Sequence, residues 1–579
     1  MQGPTAEILS RRPKNDLIKV IRNLECLLDN WLLFDRTLFH QKHPDGKLIR
    51  RVVSTTLKLS TYSIEDQISH WKEFCSFLVT LKSMASVEKH VDLTNNAYKW
   101  LLTTATFLRF IKDDSHKAAR QLAHLISSRN LAPGGESARR KAIEKFKSLV
   151  TSDFTVSQTM LEKTDLAVRR IAGICTHAKG TSELRNGHCS LTSSGALNVP
   201  VSMGGKAADA IIDIKRFLNE DGGAETRDYP WGSRYYPANR KRWQAWGRAE
   251  FPSDLEFLGV IETEMQSGRQ ILAGIGDHTG SMVFTVAYEM YARARESGNP
   301  IPVRQASVGE PGGKVRVVTT GHWWLTVIQQ PLAHMLNEHI SYHPSANSVM
   351  LRADQAWHAL RGFSRLSVEK TGDGISVLSS DLKSATDAIP FSTSRVLLKG
   401  FIEALGHSQW LWLVDLVDER NIFTEDGDMI HLKRGIRMGE PLSKPVLVLL
   451  TLCAEEIAYS EELGVSLRRE GPTENLGWRA FHVGGDDHLA IGPKSYLHRI
   501  TSNQKALGSL ISPEKHRISE HLVVYTERVL HFTGKVINQP VEEVIRNPNN
   551  SIFVDSVKLR LLSPFTKALE AVNDKNVAI

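Results

Sequence analysis

The sequence predicts an α+β protein: a largely helical first half leading into a second half of short strands, glycine-rich turns and helices. Two observations carry that expectation. Apolar residues recur at three- and four-residue spacing through most of the first ~275 positions, and β-branched runs and glycine turns begin at about Pro302. Composition agrees, since 41% of the 579 residues are hydrophobic and 23% charged, which excludes a wholly disordered or collagen-like chain. The net charge of +8 admits a nucleic-acid partner without establishing one. Five scattered cysteines (Cys26, Cys75, Cys175, Cys189, Cys453) suit a reducing compartment better than a disulfide framework. No apolar run approaches the ~18 residues of a membrane helix, and the first residues lack the apolar core of a secretory signal.

Taken in order, Leu17-Ile18, Ile21, Leu24, Leu27-Leu28 and Trp31-Leu32 predict an amphipathic helix. Similar stripes run from Trp71 to Leu81 and from Tyr98 to Ile111. Ala132–Ser137 and Gly222–Ser233 read as surface loops. Val315–Val318 reads as a strand, Trp323–Ile340 as a helix, and Ile375–Ser380 as a short strand ending at Asp381. A long helical stretch is expected over Ser392–Val417, then strand, tight turn and strand over Arg479–Ile491.

The sharpest chemical signal is Gly485-Asp486-Asp487 between apolar flanks, a hairpin signature whose tip carries adjacent carboxylates. Such a tip is either a solvated acidic turn or a cation site. A second pair, Asp381 and Asp387, follows the apolar strand. With the two strands adjacent in one sheet, Asp381 and Asp486 could hold two Mg²⁺ ions about 3.5–4 Å apart, the arrangement for in-line phosphoryl displacement. Asp387 could instead cap the next helix. Arg434-Gly-Ile-Arg-Met-Gly439-Glu-Pro-Leu-Ser443 offers close backbone approach to a ligand, with Ser443 in an N-cap position, or is a plain loop-to-helix junction. Glu310-Pro-Gly-Gly-Lys314-Val-Arg316 places two cations on one strand face, suited to a triphosphate or to an ordinary surface hairpin.

The order Lys-x-Arg, Asp-x5-Asp, Gly-x3-Ser, Gly-Asp-Asp resembles that of viral RNA-dependent RNA polymerases. In that family's terms Lys314 and Arg316 match motif F, Asp381 and Asp387 motif A, Gly439 to Ser443 motif B, and Gly485-Asp486-Asp487 motif C. Ser512-Pro-Glu-Lys515-His-Arg-Ile-Ser519 looks like motif D, and Tyr525-Thr526-Glu527 like motif E. Met438-Gly-Glu-Pro-Leu-Ser-Lys444 and Gly484-Gly-Asp-Asp-His-Leu-Ala490 look like the narnavirus and ourmiavirus lineage, most closely the botourmiaviruses of fungi and plants. One departure is Leu447, where many positive-strand polymerases have Asn, so ribose selection would rest on Asp387 and Ser443.

The resemblance implies a right-hand fold with an antiparallel palm sheet. Residues 1–275 would be a helical region contributing to fingers and thumb bridging, 276–374 fingers, 375–533 palm, and 534–579 a short thumb element. It implies RNA synthesis on an RNA template with two Mg²⁺ (or Mn²⁺) ions, held by Asp381, Asp486 and Asp487. Lys314, Arg316, Asp387, Gly439 and Ser443 would bind the nucleotide, and Lys515 would be the general acid. RNA template and product and NTPs would be the partners, in the host cytoplasm; no protein partner can be deduced. The rivals are a reverse transcriptase, disfavoured by Asp387, and a non-catalytic RNA-binding protein, disfavoured by the intact carboxylates and cations. Among weaker signals, Cys175, His177, His188 and Cys189 are scattered loop residues or zinc ligands. Trp323-Trp324 reads as a core anchor rather than a base-stacking platform. Arg11-Arg12, Arg139-Arg140-Lys141 and Arg169-Arg170 read as solvated helix faces or an RNA-channel lining.

Overall fold

The computed structural model describes residues 8, 13–40, 42–84, 97–126, 131–179, 188–219, 271–274, 278–350, 355–356, 375–468, 478–532 and 552–556. The expected loop at 222–233 and the Arg11-Arg12 pair lie outside these residues, as does most of the stretch after 532.

Among the described residues the chain opens with helices α1 (Lys14–Phe34), α2 (Gly46–Tyr62), α3 (Ile64–Ser83), α4 (Ala105–Lys112) and α5 (His116–Leu125), with a single helical turn at Lys99–Leu102 before α4. Their apolar stripes meet around Trp31, whose ring lies 5.5 to 6.5 Å from those of Phe107, Trp71 and Phe74. The stripe from Tyr98 to Ile111 is not one helix. It breaks after Leu102, and the Thr104 hydroxyl accepts from the Phe107 amide to start α4, because threonine side chains compete for backbone groups.

From α6 (Glu136–Val150) and α7 (Gln158–Lys179) onward the helices join a second, larger core. β1 (His188–Leu191) pairs antiparallel with β2 (Ile271–Gly274), flanked by α8 (Gly205–Asn219) and α9 (His278–Glu296). The hairpin β3 (Pro302–Glu310) and β4 (Lys314–Thr320) leads into α10 (Trp323–Ile340). Trp323 and Trp324 are buried there, and the Trp323 indole donates to Asp213 at 2.8 Å, as core anchors do.

β5 (Ile375–Lys383) runs two residues past Asp381, and its first eight residues are buried. α11 (Phe391–Ala404) stops near Gly406, whose φ of +77° ends the helix, so the expected 392–417 stretch resumes only as a 3₁₀ turn over Ser408–Leu416. β6 (Arg420–Phe423) and β7 (Met429–Leu432) complete a four-stranded sheet in the order β4-β3-β6-β7, parallel at β3–β6 and otherwise antiparallel. α12 (Ser443–Leu463) is buried at every residue from Pro445 to Ser460. Its buried Glu455 and Glu456 are answered by Arg479 at 2.7 and 2.8 Å, since an unpaired interior carboxylate would be costly.

The remaining strands are β8 (Ala480–Gly484), β9 (Asp487–Pro493), β10 (Leu510–Ile511), β11 (Arg517–Ser519), β12 (Leu522–Tyr525), β13 (Arg528–Phe532) and β14 (Ile552–Ser556), with α13 (Lys494–Ala506) after β9. The central antiparallel sheet has the order β10-β5-β9-β8, with β11 also on β5. A three-stranded sheet, β12-β13-β14, lends Leu522 and Val529 to the core of the first five helices. The whole is mixed α and β with mainly antiparallel sheets. Among the described residues no helix is long and apolar enough to cross a membrane.

Candidate active site

The β8–β9 hairpin turns through Gly485 and Asp486, with Gly485 at φ +89°, a conformation glycine adopts without strain. Asp487 opens β9 directly opposite Asp381 of β5, and the Leu382 amide donates to the Asp486 carbonyl at 3.1 Å. This register gathers oxygens of Asp381, Asp486 and Asp487 within 4.8 Å of one another. Burial raises the Asp487 pKa, and the charges of Asp381 and Asp486 raise it further. Asp486 is raised the same way, by burial and then by Asp381. A mutually repelling, oxygen-only donor set fits a hard divalent cation.

The other edge of β5 supplies a cation. β10 pairs Ile511 with Leu382, whereas β11 pairs Arg517 with Ser379, so residues 512–516 bulge opposite Ser380 and Asp381. The Ser512 amide donates to the Asp381 carbonyl at 3.0 Å, and the Lys515 ammonium, projecting from the bulge, donates to the Asp381 carboxylate. Burial opposes its charge, but Asp381, Asp487 and Asp486 together hold the Lys515 pKa above its ordinary value.

Beyond β5 the chain kinks at Ser384, φ +49°, whose hydroxyl accepts from Lys145 at 3.0 Å, and enters a single turn over Ala385–Ala388. Asp387 lies in that turn and does not cap α11, where Pro390 holds the cap position. Burial pushes its carboxyl up to about 6, against the Thr386 hydroxyl and Lys145. The Gly439–Ser443 loop and its approach pack onto this turn. The Ile436 amide donates to the Thr386 carbonyl at 2.8 Å, and a Cβ on Gly435 would lie 3.0 Å from the Asp387 carbonyl oxygen. Asp387, Gly435, Ile436, Val317 and Thr319 line one small pocket. Ser443 is not the N-cap of α12. Leu442 is, and the Ser443 hydroxyl instead donates back to the Arg437 carbonyl at 2.6 Å, tying the loop shut. Gly439, at φ +100°, passes the Thr319 carbonyl, and Leu447 is buried.

Lys314 and Arg316 share one face of β4, as two-residue spacing requires. Arg316 pairs with Glu310 at 2.6 Å, and its charge reaches Asp486. Lys314 lines a cavity of about 410 Å³ together with Asp381, Asp487 and Lys515. The opposite wall comes from α1 and α3, including Gln67 and Lys72, which no motif had marked. The available signal was a lysine interrupting the inward stripe of α3 (Ile68, Trp71, Cys75, Val79).

The loop expectation for Cys175, His177, His188 and Cys189 is corrected, since the first two lie in α7 and the last two in β1. Cys175 and Cys189 are buried core thiols, His188 stacks on His334 at 3.8 Å, and the His177 side chain lies outside the described residues. Burial drives both thiols away from the thiolate a metal needs, Cys175 up to about 12. Among the described residues, only the carboxylate trio gathers three potential ligands. Of the described basic pairs, Arg140 and Lys141 are exposed on α6, as a solvated face requires, while Arg139 bonds Ser307 and Glu425, Arg169 bonds Asp165, and only the Arg170 side chain, paired with Glu456, is buried.

No protein-family model matches the chain. Over 160 residues it is 33% identical to the RNA-directed RNA polymerase of Saccharomyces 20S RNA narnavirus, covering 27% of this chain and 19% of that protein. Over 259 residues it is 26% identical to the RNA-directed RNA polymerase of Saccharomyces 23S RNA narnavirus, covering 43% of this chain and 26% of that protein. The aligned segments thus span about a fifth and a quarter of these curated relatives. Over these segments the chain is similar to the narnavirus RNA-directed RNA polymerases.

Proposed function

We propose that this chain synthesises RNA on an RNA template by two-metal-ion nucleotidyl transfer, replicating an RNA genome, on a right-hand polymerase fold. The observation that supports it most is the trio Asp381, Asp486 and Asp487, set on two adjacent strands with ligand oxygens within 4.8 Å. Its likeness to the narnavirus polymerases points the same way, and the two motif strings around Gly439 and Gly485 favour the botourmiaviruses within that lineage. In this reading the central sheet is the palm. The β3–β4 hairpin belongs to the fingers (276–374), residues 1–275 bridge fingers and thumb, and 534–579 form a short thumb element.

Asp381 and Asp486, assisted by Asp487, would hold two Mg²⁺ or Mn²⁺ ions. When bound, such ions lower the pKa of a 3′-hydroxyl and stabilise charge on departing pyrophosphate. Lys314 and Arg316 hold the triphosphate through charge-assisted hydrogen bonds. Asp387 and Ser443 read the ribose 2′-hydroxyl, with Gly439 allowing close backbone approach. Lys515 gives its proton to the leaving pyrophosphate oxygen.

Template-dependent incorporation of labelled NTPs, with and without divalent cation, tests the proposal. Asp486→Asn keeps the volume and removes the charge, so turnover should collapse while RNA binding survives. Near-wild-type incorporation by that variant would sink the assignment. A preference for dNTPs would favour the reverse transcriptase instead.

A further inference from the structure

The tip of the β3–β4 hairpin is gripped by the N-terminal helical region. The Gly312 and Gly313 amides donate to the carbonyls of Leu131 and Ala132 at 2.9 and 2.7 Å. A Cβ on Gly313 would stand 2.9 Å from Ile68 of α3, and the Lys72 ammonium, one turn further along α3, donates to the Gly312 carbonyl. The far end of α3 holds β11, through Arg517 to Thr80 at 2.7 Å and Ser519 to the Ser83 carbonyl at 2.6 Å. One helix therefore spans from the hairpin that carries Lys314 to the strand that follows Lys515.

Between these anchors α3 walls the cavity that Asp381, Asp487, Lys314 and Lys515 line from the other side. Lys515 is neutralised there by Asp381. Among the described residues no carboxylate pairs with Lys72 or with Lys314. Burial, then the charges of Lys314 and Lys515, lowers the Lys72 ammonium to about 8, so the three cations repel one another across a shared space. Gln67, a neighbour on α3, is buried with its side-chain Nε2 lacking a hydrogen-bond partner, and it lines the same cavity. Two cations without a carboxylate partner, Lys72 and Lys314, lining one cavity call for a polyanion.

We propose that Lys72 is a phosphate-binding cation which, with Lys314, holds the polyphosphate end of the incoming nucleotide. The N-terminal helices then supply one wall of the nucleotide site as well as the hairpin's anchor. This rests on the polymerase reading for the nucleotide's identity, but its test needs no turnover.

Calorimetry would measure inorganic tripolyphosphate binding to the full chain, to Lys72→Met and to Lys72→Gln. Glutamine keeps a donor for the Gly312 carbonyl and loses the charge, which separates phosphate binding from positioning of the hairpin. Both variants should bind about tenfold or more weakly, with RNA affinity unchanged. Wild-type affinity in Lys72→Gln, or no tripolyphosphate binding by the wild type, overturns the proposal. Amine-reactive labelling of the wild-type chain answers without any substitution: tripolyphosphate should protect Lys72, and unaltered labelling also overturns it. Incorporation of NTPs alongside unchanged Lys72→Gln binding defeats this inference alone. Lys72-dependent binding without any incorporation defeats the polymerase reading alone.

Discussion

At Lys515 two demands meet on one ammonium. A general acid must stay protonated until the leaving group needs the proton, and the three neighbouring carboxylates hold the Lys515 pKa up despite burial. Lys515→Met should slow single-turnover nucleotide addition by at least about tenfold, the low side of the usual general-acid contribution. NTP affinity should change little, since Lys314 is untouched. Lys515→Arg should fall between, because guanidinium keeps the charge and yields its proton poorly. A wild-type rate at saturating NTP in Lys515→Met would remove this lysine from the chemistry. Its position was marked only by the resemblance of the Ser512–Ser519 string to motif D. Its partner was not marked, because the bulge opposite Asp381 exists only in the pairing of β10 and β11 with β5.

Loops and turns carry the next level of organisation. The turn holding Asp387 and the approach to α12 are stacked backbone to backbone, and Gly435 is the contact between them. Its φ of +103° already disfavours any side chain, and a methyl group there would press on the Asp387 backbone. Gly435→Ala should cost about 1–3 kcal/mol of stability and move the Asp387 carboxyl. Competition between rNTPs and dNTPs should then show lost discrimination, as in Asp387→Ala, because a site built for a hydroxyl excludes its analogue through unpaired polar groups. Unchanged selectivity in both variants would take ribose reading away from this turn. Amphipathic helices such as α1 and α3 were legible from periodicity. The breaks at Thr103-Thr104 and near Gly406 were not, since a continuous apolar stripe hides a local change in backbone conformation.

Across the whole molecule, the first five helices dock on the β12–β13 hairpin through Leu522 and Val529, with His116 and His531 meeting at 2.9 Å between their Nδ1 atoms. Burial, then His116, holds His531 down at about 4; Lys82 and His521 act in the same direction and Asp114 against it. The unfolded chain takes up a proton at His531 near pH 6.5 that the folded chain refuses until about pH 4. Stability is therefore highest above pH 6.5 and is lost as pH falls toward 4, on the order of 3 kcal/mol over the window and about 2 kcal/mol of it by pH 5. Urea midpoints at pH 7 and pH 5 should show a smaller difference in His531→Gln than in the wild type. Equal differences would mean that the histidine pair does not couple docking to pH.

The sequence by itself determined the helical first half, the strand texture after Pro302, and the local chemistry of Gly485-Asp486-Asp487, because these follow from short-range pattern and turn preference. It also marked Asp381 and Lys314 by order and spacing along the chain, and Lys515 through the resemblance to motif D. Only the tertiary structure decided that Asp381 faces Asp487, that Lys515 reaches Asp381, and that Lys72 enters the same cavity from a helix about 240 residues before Lys314. Periodicity identifies which face of α3 turns inward. What that face meets is settled by the packing of the N-terminal helices against both edges of the site, a long-range choice that no local pattern of residues encodes.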